Sequence, residues 1–348
     1  MRFLVLSVLC ALSASVAAGP ANDQDLRSQR HAQNVHIIRD NWGIAHIYGK
    51  SDADTVFGTI YAEAEDDFGR IERNYLIALG ELAQAEGENA IYSDLRARLF
   101  VDPLELQKQY ALSPAWLKAL MLAWSDGLNY FLSRHPAITP KVIRHFEPWM
   151  ALSFTEGSIG GDIESIDLGK LREFYAERPQ PAVAVAVPGP VAKATPDEGR
   201  AKPVPGGSNG FAIAPSRSAS GHALLWINPH TSYYFRSELQ MISEQGLNVY
   251  GAVTWGQFFV YQGFNSHNGW MHTSYGGDAI DEYVEAIVKQ PDGLYYRYGS
   301  GLRKLRTSRI SIVFKQGTAT GHREFTVYHS HHGPIIRAEN GRGGDAQR

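Results

Sequence analysis

The 348 residues include a single cysteine, which excludes a disulfide framework and any thiolate zinc site built within one chain. Neither sign of charge is in large excess: 33 Lys and Arg stand against 36 Asp and Glu, net −3 with histidine neutral. No basic run gathers on any segment, so nucleic acid is not an expected partner. No apolar stretch reaches the roughly 20 residues of a membrane-spanning helix. No Gly-x-Ser-x-Gly elbow stands between an expected strand and an expected helix, which argues against a Ser-His-Asp hydrolase of the α/β type. What is present is ordinary for a folded protein: 44% hydrophobic and 20% charged residues, in a length with room for about two domains or one large one.

Arg2 is followed by an apolar run over residues 3–12 and by small residues ending Val16-Ala17-Ala18. That order is a secretory signal peptide, with cleavage expected after Ala18; the run is about half of what a spanning helix needs. Leu9 is too bulky for the small residue that lipoprotein processing requires before Cys10, so the lone cysteine leaves with residues 1–18. The remainder is expected in the periplasm or the medium.

Val35-His36-Ile37-Ile38-Arg39 alternates as a strand does, and Asp40-Asn41-Trp42-Gly43 reads as a turn. A helix follows, capped by Ser51 or Asp52, because Ala53, Val56, Phe57, Ile60, Tyr61 and Ala64 form one apolar stripe at helical spacing. Further helical patterns cover 71–85, 114–133 and 154–176. The same spacing assigns Glu63, Glu65, Asp66 and Asp67 to a solvated helix face rather than a catalytic cluster. From Arg178 to Gly207 the chain turns to Pro, Ala, Val and Gly, a spacer that suits no packed element. After it the pattern is strand, over 208–214, 223–227, 248–254, 282–288, 310–314 and 324–328. Helices first and strands later predict an α+β chain in two parts: residues 19–177, mainly helical, and 208–348, strand-rich, joined by the spacer 178–207.

A flexible spacer ending in Gly206-Gly207 directly before Ser208 and a strand invites cutting. If the Gly207–Ser208 bond is cleaved, Ser208 carries both a hydroxyl and a free α-amine. One residue then supplies nucleophile and base, because an α-amine with a pKa of about 8 is partly neutral near pH 7 and can take the hydroxyl proton. As a bare dipeptide, Gly-Ser after a linker means little and is far more often a loop serine.

The surrounding residues decide between these. Gly207-Ser208-Asn209-Gly210-Phe211-Ala212-Ile213, Asn228-Pro229-His230 and Gly269-Trp270-Met271-His272-Thr273-Ser274 closely resemble the penicillin acylase family of N-terminal nucleophile hydrolases. So do the upstream Asn41-Trp42-Gly43-Ile44-Ala45-His46-Ile47, Tyr61-Ala62-Glu63-Ala64-Glu65-Asp66 and Leu79-Gly80-Glu81, and the downstream His332-Gly333-Pro334. The motifs run in family order from about residue 35 to 340, closest in flavour to acylases acting on acyl-homoserine lactones, aculeacin-type lipopeptides and cephalosporins.

The resemblance implies a precursor that cuts itself into α-chain, spacer and β-chain, and an αββα sandwich built mainly by the β-chain. It implies Ser208 as the nucleophile and, through its amine, the base. His230 matches a residue close to the nucleophile, and Ser274 matches the one whose backbone N–H forms half of the oxyanion hole. Asp278, the carbonyl of Ile280, Asp281 and the α-chain Glu164 match a calcium site of the penicillin G branch, and oxygen ligands of this kind suit calcium; an Asp pair in a turn is the plainer alternative. No organic cofactor is implied. The expected partners are a small acylated amide as substrate and, within the protein, the α-chain/β-chain heterodimer.

The family's catalytic Asn and a nearby Arg have no counterpart in these residues, so by family proportions the chain is expected to be roughly half a precursor, with an incomplete sheet. The alternative to an acylase is accordingly a catalytically incomplete remnant that binds an acylated ligand or a partner chain. Trp255, Phe258, Phe259, Tyr261 and Phe264 can line an acyl pocket or belong to the core, which is the more frequent place for such side chains.

Overall fold

The turn at Asp40 brings the first two strands together. Its carboxylate Oδ1 accepts the N–H groups of Trp42 (2.8 Å) and Ile44 (3.0 Å), and β1 (Val35–Arg39) pairs antiparallel with β2 (Ala45–Gly49). The computed structural model describes residues 23–153, 163, 166–176, 207–231, 236–273, 281–338 and 345–347. Before the hairpin lies α1 (Asp23–Gln33), and after it α2 (Asp52–Leu79). Ser51 is the N-cap of α2: its hydroxyl accepts the N–H of Asp54 while the Asp54 carboxylate accepts the N–H of Ser51, a reciprocal capping box.

The predicted stripe is buried or half-buried, and the burial of α2 extends beyond it to Thr55, Gly58, Thr59 and Ala62. Val56, Phe57, Ile60 and Ala64 are buried, and α2 packs on α6 (Ala115–Arg134), where Phe57 meets Tyr130, Tyr61 and Phe68 meet Phe131, and Tyr75 lies 5.0 Å from Trp124. The helix is not continuous. At Asp67 the backbone leaves helical geometry (φ −157°, ψ 68°), and the Asp67 carboxylate caps the N–H of Arg70 at 2.9 Å, restarting the helix. The helix expected over 71–85 is likewise divided, between the end of α2 at Leu79 and α3 (Leu82–Glu86). Then come α4 (Ile91–Phe100), α5 (Pro103–Leu112) and, beyond α6, α7 (Leu168–Ala176). The proline spacer lies outside the described residues apart from Gly207.

Of the acidic residues assigned to a solvated face of α2, Glu65 and Asp66 are exposed as expected and Asp67 is half-buried, whereas Glu63 is enclosed. Glu63 is 1% exposed and Glu72 is also buried. The Glu72 carboxylate accepts the N–H groups of Lys141, Val142 and Ile143, and Glu63 Oε2 accepts the N–H of Gly256 at 2.8 Å. The exposed Glu65 and Asp66 are engaged by the Arg39 guanidinium. Helical spacing separated the apolar stripe from the acidic residues; it carried no information about which later segment would cover Glu63.

The strands are β3 (Ser208–Ile213), β4 (Leu224–Pro229), β5 (Arg236–Ser243), β6 (Asn248–Thr254), β7 (Gln262–Asn265), β8 (Gly269–Trp270), β9 (Val284–Gln290), β10 (Gly293–Tyr298), β11 (Gly301–Lys304), β12 (Arg306–Gln316), β13 (Ala319–His329), β14 (Arg337–Ala338) and β15 (Asp345–Gln347). One sheet has the order β1-β2-β5-β6-β7-β8, a second β11-β10-β9-β15-β14, and β12-β13 and β3-β4 are two-stranded ribbons. The chain is therefore α+β, as expected.

The first sheet departs from a division into two parts. β2 pairs in parallel with β5, Ala45 opposite Leu239 and Gly49 opposite Ser243, so strands from before and after the spacer share one sheet. One core follows: Phe57, Ile60 and Trp124 belong to the same buried cluster as Leu239, Val253 and Phe325. Two short strands cannot bury a face alone, and the hairpin β1–β2 completes a sheet with the later segment.

Candidate active site

Ser208 opens β3, opposite Pro229 at the end of β4. Proline has no N–H to give to the ladder. The next donor along β4 is the N–H of His230, and it is directed to Ser208 Oγ at 3.4 Å. A third segment completes the surroundings. Thr273 Oγ1 accepts the N–H of Ser208 at 2.8 Å and donates to the carbonyl of Ser208, also at 2.8 Å. The nitrogen is a peptide N–H here, because Gly207 precedes it in the uncut chain.

Glycines at two positions make this approach possible. A Cβ on Gly210 would stand 1.8 Å from Met271 Sδ, and one on Gly207 would stand 3.0 Å from Thr273 Oγ1. Segment 271–273 is itself anchored: the buried Tyr261 ring stacks on His272 at 4.3 Å, and Gln262 Nε2 donates to the His272 carbonyl at 3.3 Å. Three elements distant in sequence thus meet at one serine.

The imidazole of His230 is turned toward amide side chains. Its Nε2 lies 3.1 Å from Asn209 Nδ2 and 3.0 Å from Asn228 Oδ1, two residues paired across the ribbon. The backbone N–H of His230, rather than its ring, meets the Ser208 hydroxyl. The letters Gly206-Gly207-Ser208-Asn209-Gly210 spell a hydrolase elbow, but Ser208 leads into a strand, not a helix.

Ser274 lies outside the described residues, as do Glu164, Asp278 and Ile280 of the expected calcium set. Asp281 is described, and its Oδ2 accepts the hydroxyl of Tyr283 at 3.4 Å. Elsewhere Glu285, His331 and His332 bring one ligand atom each within 4.8 Å of one another. That donor set suits a zinc-type ion better than calcium, and a direct His332–Glu285 pair at 2.9 Å with Tyr283 stacked on His332 at 3.7 Å accounts for its geometry.

The aromatic residues divide. Tyr261 is buried, Trp255 and Phe258 pack against the core, and Phe259 and Phe264 are about half exposed. Thr273 is the residue that sequence reasoning passed over. It stood inside a quoted motif, one position before Ser274, and its polar side chain after an aromatic strand end was the available signal.

The family model for Penicillin amidase matches residues 34–346. Among curated relatives, the chain is 27% identical over 345 residues to "Acyl-homoserine lactone acylase QuiP" of Pseudomonas fluorescens, covering 89% of this chain and 42% of the relative. It is 26% identical over 358 residues to "Acyl-homoserine lactone acylase PvdQ" of Pseudomonas putida, covering 95% and 44%. It is 25% identical over 357 residues to "Penicillin acylase 2 proenzyme" of a Pseudomonas species, covering 88% and 44%. The chain thus spans less than half the length of these relatives. Among solved structures it is similar to a thermostable penicillin G acylase from Alcaligenes faecalis at 18% identity and a TM-score of 0.33, covering 45% of this chain and 97% of that one; an overlap this loose carries no argument. The family match runs from β1 into β15, across the hairpin, the spacer and the Ser208 ribbon alike, and by it the chain belongs to the penicillin amidase family.

Proposed function

We propose that this chain carries the nucleophile of an exported, self-processing amidase that hydrolyses the acyl–amide bond of acyl-homoserine lactone, penicillin-like or lipopeptide substrates. The observation that carries the reading is Ser208 at the first position of a strand, preceded by glycine, with its hydroxyl, N–H and carbonyl each engaged by another segment. Support for the substrate class comes from the names of the relatives, which are acyl-homoserine lactone and penicillin acylases. The word proenzyme in one of them agrees with a processed precursor.

Maturation begins when Ser208 Oγ attacks the carbonyl carbon of Gly207. The C–N bond breaks, the nitrogen takes the hydroxyl proton and becomes an amine, and the upstream chain is held as an ester on Oγ. Water then hydrolyses that ester. In turnover the α-amine accepts the Oγ proton as Oγ bonds to the amide carbon of the substrate. Collapse of the tetrahedral intermediate expels the amine product, which takes that proton, and leaves an acyl-enzyme. Water, deprotonated by the α-amine, releases the acid and restores the hydroxyl. A backbone donor at the developing oxyanion, the role proposed for Ser274, lowers such a barrier by about 3 kcal/mol. The reaction draws on no organic cofactor.

The test is mass spectrometry of the expressed full-length protein with turnover of a panel of acyl amides. The expected result is loss of residues 1–18, a new N-terminus at Ser208, and a single chain uncut at that bond in Ser208→Ala. A Ser208→Ala protein still cut between Gly207 and Ser208 overturns self-processing. An uncut, soluble and inactive protein favours the second reading, a remnant that binds an acylated ligand. One observation speaks for that reading: Phe211 is 63% and Trp226 49% exposed on the β3–β4 ribbon.

A further inference from the structure

We propose that Thr273 is the positioning residue of this site: its hydroxyl sets the direction of the Ser208 nitrogen, first for the cut at Gly207–Ser208 and then for proton transfer from the nucleophile. The proposal rests on the reading of Ser208 as an N-terminal nucleophile. A threonine hydroxyl has one proton and two acceptor lone pairs. In this structure the proton is committed to the Ser208 carbonyl, so Oγ1 faces the Ser208 nitrogen only as an acceptor.

That asymmetry matters once the nitrogen becomes an amine. A neutral amine has two N–H bonds and one lone pair. With one N–H held by Thr273, the lone pair takes another direction and remains available to the proton of Ser208 Oγ. A donor in the place of Thr273 would occupy the lone pair and silence the base. The hydroxyl of Ser208, in turn, receives the His230 N–H, which uses an acceptor site and leaves its own proton free to move.

Thr273 also holds both ends of the Ser208 backbone at once, and its segment is tied to the sheet through the Tyr261–His272 stack and the Gln262 side chain. Its position therefore derives from buried groups rather than from the exposed ribbon it grips. The 3.0 Å distance from a Cβ on Gly207 to Oγ1 gives residue 207 a stake in the same contact: a side chain there presses on the clamp.

The experiment uses the full-length protein with Thr273→Val, which keeps the shape and removes the hydroxyl, and Thr273→Ser, which keeps the hydroxyl. Processing is followed by mass spectrometry and mature turnover by kcat, KM and their pH profiles. Thr273→Val is expected to slow processing and to reduce kcat by about 100-fold, the scale of a displacement of about 1 Å in a reacting group, with KM little changed. The acidic limb of its kcat profile moves to lower pH, because an acceptor that stabilises the ammonium form has gone. Thr273→Ser is expected to restore both.

Wild-type rates and an unmoved acidic limb in Thr273→Val overturn the proposal, as does a Thr273→Ser protein as impaired as Thr273→Val. A wild-type protein without a Ser208 N-terminus overturns the underlying reading instead. Should Thr273→Val fail to fold, Gly207→Ala carries the test: the clamp predicts slower processing, and processing at the wild-type rate counts against it.

Discussion

Asp94 shows how a buried carboxylate is used in this protein. Its two oxygens accept the N–H groups of Leu82 (2.9 Å) and Ala83 (2.7 Å), closing the start of α3. Burial pushes its pKa up to about 7, outweighing the two N–H donors and Arg98, which pull it down; Glu81 adds to the rise. A group whose folded pKa is raised contributes stability that is full below its unfolded value, near 4, and is lost as pH climbs to about 7. The wild type is therefore expected to lose stability between pH 4 and 7 through this residue. Asp94→Asn offers one acceptor where two are used, and is expected to cost about 1–3 kcal/mol at pH 5. Its deficit shrinks by pH 8, because the titration is gone. Urea unfolding at the two pH values measures this; a deficit that does not change with pH counts against the assignment.

At the scale of the element, α2 is a helix with two beginnings. The capping box at Ser51 starts it, and the Asp67 carboxylate starts it again after the break. Removing the first cap is a local change with a predictable size. Ser51→Ala is expected to destabilise by about 1 kcal/mol, whereas Ser51→Gly costs only a few tenths, roughly, because glycine tolerates the extended N-cap backbone. Equilibrium unfolding of both variants checks this; equal losses would mean that the lost hydroxyl alone sets the cost and that glycine gains nothing from its backbone freedom at the cap. The β3–β4 ribbon is the opposite kind of element, with Leu224 and Ile213 exposed beside Phe211 and Trp226. Its order comes from the contacts of Ser208 and Gly210 with segment 271–273 rather than from a buried face of its own.

The whole molecule is held together across residue 207. Besides the parallel pairing of β2 with β5, Thr55 donates to the Ile242 carbonyl and Asn74 to the Trp255 carbonyl. Tyr75 and Trp124 both donate to the Gly256 carbonyl, and Tyr175 donates to that of Ile335. Glu63 adds the Gly256 N–H, with its carboxyl pKa raised well above the usual range by burial. Cleavage at Gly207–Ser208 breaks none of these. The two pieces are therefore expected to co-elute in size-exclusion chromatography under native conditions and to separate only in denaturant. Separation in native buffer would show that the shared core does not hold them. Among the described residues no helix is long and apolar enough to cross a membrane.

What the sequence determined by itself was local. The stripe from Ala53 to Ala64, the Asp40 turn and the strand beginning at Ser208 are each written in neighbouring residues, as a period of 3.6 or 2, a turn residue or a glycine. Even α5, which that reading passed over, begins at a legible Asp102-Pro103 cap. The tertiary structure decided what lies far apart along the chain. Thr273 reaches Ser208 across 65 positions and Glu63 reaches Gly256 across 193, and the spacing on α2 alone predicted solvent around Glu63. The two apparent parts became one core for the same reason. Amphipathic periodicity specifies which face an element must bury, while the partner that buries it is chosen by packing and hydrogen-bond satisfaction over the whole fold.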